Sequence, residues 1–285
     1  MPESEPTEKA LELRKKPIKE IFDCVELADR EVTRFKEWFK ENYSYSWEKA
    51  PKEELATAIY SYTARQKRSI FGVLGIPGKE GFEIQPRTEE LKAKSQRFFG
   101  NSNTMLKDIL ETREGQCVAF TSLYCMLAEE LGVNVKPFVV TKWEDGTPLV
   151  GENGHVVPAF IMKSGRTILF DSANWVPNAK YKGAVKEKEE LLVSALYNKG
   201  TSLAKLGKYE EAIVYFDKAL EINPDNVEAL NNTGVALAKL GKYKEAIECY
   251  DKALKLAPGD SDILKNRALA SPASDKQPKK EKAKA

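Results

Sequence analysis

Histidine is almost missing from this chain: His155 is the only one. Four cysteines, Cys24, Cys117, Cys125 and Cys249, stand 93, 8 and 124 residues apart, and no C-x-x-C pair occurs. A structural zinc site needs four Cys or His ligands, usually supplied as close pairs, so no metal is expected. A disulfide framework is equally unexpected in a chain of 285 residues, and each cysteine is read as a thiol, either inert core or nucleophile. Charge of one sign is lacking as well. Lys+Arg number 45 against 43 Asp+Glu, a net +2 with the signs interspersed, which gives no basic footprint for a nucleic acid. No apolar run approaches the roughly 20 residues that cross a bilayer. The opening Met-Pro-Glu-Ser-Glu-Pro is acidic where a secretory leader is basic and then apolar, so a cytoplasmic location without a membrane partner is expected. A phosphate-binding loop is also missing. Gly72, Gly75, Gly78 and Gly81 do not match the G-x-x-x-x-G-K-[ST] spacing, and they read as an exposed turn with no cofactor implied.

What is present is enough for two packed domains, with 42% hydrophobic and 31% charged residues. The clearest feature is an internal repeat. Leu203-Ala204-Lys205-Leu206-Gly207-Lys208-Tyr209 recurs 34 residues later as Leu237-Ala238-Lys239-Leu240-Gly241-Lys242-Tyr243. The same shift carries Gly200 to Gly234, Ala212 to Ala246, Phe216 to Tyr250, Ala219 to Ala253 and Pro224 to Pro258. Small residues at 200, 212, 234 and 246 suit a close crossing of antiparallel helices, and the aromatics fill the seam. Gly207 and Gly241 allow the turn, and the prolines end each second helix. The pattern resembles the tetratricopeptide repeat family, with Leu196 and Leu230 where a Trp is usual. Two repeats are expected, 195–224 and 229–258, inside an array spanning 186–270. The resemblance implies that they bind a protein or peptide partner. Ser261 to Ala270 is expected to cap them, with Ile263 and Leu264 facing back. Two repeats are fewer than the three or so that stand alone, so the array is expected to pack against the preceding domain. Residues 271–285 read as a disordered basic tail and 1–7 as a loose end.

The stretch 8–185 forms the other domain. Ile18, Ile21, Phe22, Val25, Val32, Phe35, Trp38 and Phe39 recur at helical period, and Pro51 opens a further helix. Asn101-Ser102-Asn103 offers caps before a short helix to Thr112. After Gly115, a helix starting at or just after Cys117 is apolar nearly all round until Gly132 closes it. Strands are expected over Val133–Thr141, His155–Met162 and Thr167–Asp171, with Asp145-Gly146 in the first connecting loop. Pro158, inside the second, suggests an edge strand or a bulge.

A cysteine in the first turn of a buried helix lies near unpaired N–H groups and the positive end of the dipole, which favour thiolate. His155 begins one strand and Asp171 ends the next. If these pair through the short Ser164-Gly165 turn, the carboxylate comes beside the imidazole. A thiolate nucleophile, an imidazolium acid/base and an orienting carboxylate result. Cys125, in mid-helix, reads as packing, and Cys24 and Cys249 as core or half-exposed.

The run Gly115-Gln116-Cys117, followed by an apolar helix, Gly154-His155-Val156 and Leu169-Phe170-Asp171-Ser172, resembles the transglutaminase-like superfamily, most clearly over 104–176. That resemblance implies a papain-like α+β domain of helices plus a small antiparallel sheet, here followed by the all-α repeat array. It also implies a triad of Cys117, His155 and Asp171, with chemistry passing through a thioester. Trp175 is a candidate shield for the triad, and Gln116 adjoins it. No calcium-binding D-x-[DN]-x-[DN]-G cluster is present, which disfavours a calcium-activated cross-linking enzyme. Cysteine-dependent acyl transfer or amide hydrolysis is expected, with the repeats recruiting substrate. The alternative is a non-catalytic scaffold whose transglutaminase-like domain is a pseudoenzyme.

Overall fold

The structure, a computed structural model, describes residues 5–65, 105–112, 117–142, 155–171, 176–177 and 181–274. The expected glycine turn at 72–81, the caps at 101–103, the loop at 145–146 and the tail beyond Ser274 lie outside the described residues. Two units are distinguished: Leu11–Asn198, and Lys199–Ala285 together with Met1–Ala10.

In the first unit, α2 (Ile18–Ile21) and α3 (Val25–Asn42) share the apolar run read as helical. They are separate helices because Asp23 takes a left-handed φ of 49°, a conformation short polar side chains tolerate. Cys24 is therefore the residue before α3 rather than part of a helix. Helix α3 buries Ala28, Val32, Phe35 and Phe39 at three- and four-residue spacing. Phe35 meets Tyr62 of α4 (Lys52–Arg65) edge-on at 5.3 Å, and Phe39 stacks on Tyr43 at 4.1 Å. Each fully buried aromatic contributes roughly 1.5–3 kcal/mol, and the run of them fixes α3 on α4.

Helix α5 (Leu106–Thr112) precedes α6 (Cys117–Glu130), in which Val118 to Ala128 are buried without a break. A helix buried all round must satisfy its own polar side chains. Ser122 donates to the Val118 carbonyl at 2.8 Å, Tyr124 to Ala56 at 2.5 Å and Thr121 to Val156 at 2.8 Å. Gly132, at φ 63°, ends it as expected, and the Lys52 ammonium donates to the Leu131 carbonyl at 2.9 Å.

The strands β1 (Val135–Lys142), β2 (His155–Ile161), β3 (Thr167–Asp171), β4 (Val176–Pro177) and β5 (Lys182–Val185) form one antiparallel sheet in the order β4-β3-β2-β1-β5. The edge or bulge expected at Pro158 is corrected here. Strand β2 is central, and its register with β1 runs unbroken from Val135↔Phe160 to Val140↔His155. The reason is Pro137, which stands directly opposite Pro158. Two prolines can face each other only at a non-hydrogen-bonded pair, where neither N–H position points across. The missing donor of Pro158 points toward β3 instead, and the β2–β3 pairing ends beside it at Ala159↔Leu169.

In the second unit, α7 (Glu189–Lys205, divided between the units after Asn198), α8 (Tyr209–Ile222), α9 (Val227–Lys239) and α10 (Tyr243–Leu256) follow the repeat. A Cβ placed on Gly200 would lie 2.6 Å from the Phe216 ring, and one on Gly234 2.6 Å from that of Tyr250. The small residues thus admit the aromatic seam. Gly207 and Gly241 turn at φ 77° and 75°, and both second helices stop ahead of Pro224 and Pro258. The capping helix α11 runs Ser261–Ser274, through the expected start of the tail. Ile263 faces the core at 2% exposure, but Leu264 is 47% exposed, against the expectation that both face back. Leu230, one repeat earlier, is 6% exposed because the following helix α10 covers it with Tyr250 and Ala246. Thr7, expected in the loose end, donates its hydroxyl to the Ile222 carbonyl at 2.9 Å, and Lys9 pairs with Glu221.

Candidate active site

Cys117 is the first residue of α6, half-buried, where the first-turn N–H groups have no partner within the helix. His155 is the first residue of β2 and is buried. Asp171 is the last residue of β3. Gln116 and Trp175 lie outside the described residues.

Topology sets the three backbone positions at one end of the layer. Helix α6 ends at Glu130, and β1 starts five residues later and runs back beneath it; β2 returns antiparallel to β1, and β3 antiparallel to β2. The start of α6, the start of β2 and the end of β3 therefore lie toward the same end of the layer. The bond from Thr121 to the Val156 carbonyl fixes this alignment: Thr121 is one turn beyond Cys117, and Val156 is one residue beyond His155.

The sheet has two distinct faces. Val139, Val156, Phe160, Ile168 and Phe170 join the core that α6 fills. Phe138, Val140, Val157, Ala159, Leu169 and Tyr181 form a second cluster on the other face. Alternation along β2 assigns His155 to the Val157 face. Its ring meets Tyr181 edge-on, with centroids 5.9 Å apart and planes at 77°.

The remaining cysteines are chemically quiet. Burial pushes the Cys24 thiol up to about 11, and it raises the Cys125 thiol further, in line with the packing role read from the sequence. Burial also raises Cys249, partly offset by Lys252. Among the described residues no group of three or more His, Cys, Asp or Glu is gathered to hold a metal ion.

Two residues of the site escaped the sequence reading. Thr121 lies within the helix read as apolar nearly all round, where a hydroxyl signals a buried hydrogen bond. Tyr181 follows Asp171 by ten positions, with no periodicity to mark it.

Two stretches of the chain match known families. Residues 86–178 match the family model of the transglutaminase-like superfamily, and residues 197–261 match that of the tetratricopeptide repeat. Among curated proteins none matches the chain. One solved structure, "MamA RS-1 ArsTM double mutant", is 31% identical, with a TM-score of 0.28 over 29% of this chain and 47% of that one. The C-terminal TPR-containing domain of a Plasmodium falciparum FK506-binding protein is 32% identical, with a TM-score of 0.30 over 31% of this chain and 59% of that one. The chain thus spans about half the length of the solved structures it matches. No helix among the described residues is long and apolar enough to cross a membrane. The chain carries a transglutaminase-like domain, mostly helical with a small antiparallel sheet, followed by a helical array of tetratricopeptide repeats.

Proposed function

We propose that this protein performs cysteine-dependent acyl transfer or amide hydrolysis on a protein or peptide recruited by its repeats. The observation that carries this reading is the alignment of the α6 start with the β2 start, held by Thr121 and Val156. The Cys117 thiolate attacks the carbonyl carbon of an amide, and the His155 imidazolium protonates the leaving amine. The thioester then passes to water or an acceptor amine, with His155 taking the proton of the attacking group. Asp171, two residues beyond Leu169 at the end of β3, is the proposed orienting carboxylate for the imidazole. A reducing compartment such as the cytoplasm suits the mechanism, because the attacking thiolate must stay unoxidised.

Iodoacetamide labelling with peptide mapping tests the proposal. At pH 6 Cys117 is expected to alkylate at least tenfold faster than Cys24 or Cys125, whose thiols burial keeps protonated. In His155→Ala that advantage is expected to vanish. Equal, slow labelling of all three in the unaltered chain would sink the reading.

A second reading, a non-catalytic interaction scaffold, is favoured by one observation. The His155 ring packs against Tyr181 on the sheet face away from the α6 core. Under that reading His155→Ala changes stability and leaves the labelling rate of Cys117 as it was.

A further inference from the structure

Strand β5 is exposed along its length, yet three features press its start toward His155. The first is a bulge. The β1–β5 register passes from Val140↔Gly183 to Lys142↔Lys182, so Thr141 is an extra residue on β1. Its hydroxyl donates to the Lys182 carbonyl at 3.1 Å, which ties the bulge to β5. Bulges bend a strand and redirect the neighbouring side chains. The second is Gly183, where a Cβ would lie 2.0 Å from the Val139 carbonyl oxygen and 2.7 Å from the Phe138 ring. Only glycine lets β5 lie this close. The third is the contact itself, Tyr181 against the imidazole edge-on at 5.9 Å.

The register of the sheet brings β5 within reach of His155. His155 opens β2, and the pairing with β3 stops at Ala159. Val140 stands directly opposite it on β1, and Gly183 directly opposite Val140. Tyr181, two residues before Gly183, thus reaches the imidazole across a single intervening strand. An edge-to-face ring pair restricts the rotation of both partners.

We propose that Tyr181 is a positioning residue, aimed by the Thr141 bulge and Gly183, that holds the His155 imidazole in the orientation its proton transfers require. This inference rests on the acyl-transfer reading above. It acts through the ring rather than the hydroxyl, so Tyr181→Phe and Tyr181→Leu are expected to differ.

The test uses the full chain, in which His155, as the sole histidine, gives unambiguous imidazole proton resonances. In the unaltered protein, nuclear Overhauser contacts between the His155 and Tyr181 rings are expected. Their absence would overturn the proposal without any variant. Tyr181→Leu is expected to shift the His155 ring resonances through loss of the ring current and to slow Cys117 alkylation about fivefold, the scale of one aromatic pair. Tyr181→Phe is expected to restore both. A His155-dependent Cys117 whose rate ignores Tyr181→Leu defeats this inference alone. A Cys117 rate indifferent to His155→Ala defeats the acyl-transfer reading and this one with it.

Discussion

Glu31 is a charged residue with no accessible surface, on the inward face of α3. Tyr62 donates to one carboxylate oxygen at 2.7 Å, and Arg34 reaches the other at 3.2 Å. Burial nevertheless wins and raises its pKa above the ordinary carboxyl value, with the two partners opposing. A group that binds its proton more readily when folded stabilises the fold fully below its unfolded pKa and loses that contribution as pH rises through the folded one. Stability is therefore expected to fall as pH climbs from about 4.5 toward neutrality, and Glu31→Gln is expected to flatten that part of a thermal-melt series. Glu31→Leu is expected to cost about 1–3 kcal/mol at neutral pH, because it removes the carboxylate that the buried Tyr62 hydroxyl donates to. The residue scale is also where the sequence spoke least evenly. Cys117 and His155 announce themselves by rarity and by standing at element boundaries. Glu31 and Tyr181 carry no such mark, since burial and ring geometry exist only after folding.

Among the elements, the repeats were the most legible, because each helix crossing imposes a small residue and an aromatic at a fixed offset, and the offset occurs twice. Gly234→Ala should cost about 1–3 kcal/mol by forcing a methyl group into the Tyr250 ring, whereas Gly259→Ala, which meets nothing within 4 Å, is expected to be near neutral. Denaturant melts of the two variants check the contrast. The sheet was legible in its strands but not in its order. A proline inside an apolar run points to an edge when read alone, and only the facing Pro137 shows how a central strand accommodates it. Leu264 was misread for a related reason: its apolar character matches Leu230, but α11 has no covering helix of the kind α10 provides, among the described residues. The coupling of α6 to β2 predicts a further effect. Thr121→Val leaves the buried Val156 carbonyl short of a donor and is expected to cost about 1–3 kcal/mol. If α6 and β2 act together, Cys117 alkylation should slow in the same variant, measured on protein still folded by circular dichroism.

At the scale of the whole molecule, the chain divides into two units, with the division inside α7 and the first ten residues grouped with the repeats. No periodicity could have revealed that membership, because it rests on Thr7 and Lys9 meeting the last turn of α8. Thr7→Ala is expected to lower hydrogen-exchange protection in that turn while leaving α10 unchanged, since the loss of one backbone-directed hydrogen bond, about 1 kcal/mol, acts locally. The pairing also orders events at the ribosome. Lys9 and Glu221 are separated by 212 positions, so at 5–20 residues per second the leading segment waits about 10–40 s for its docking surface to be synthesised. The intervening unit has that interval to fold before Thr7 and Lys9 find their partners.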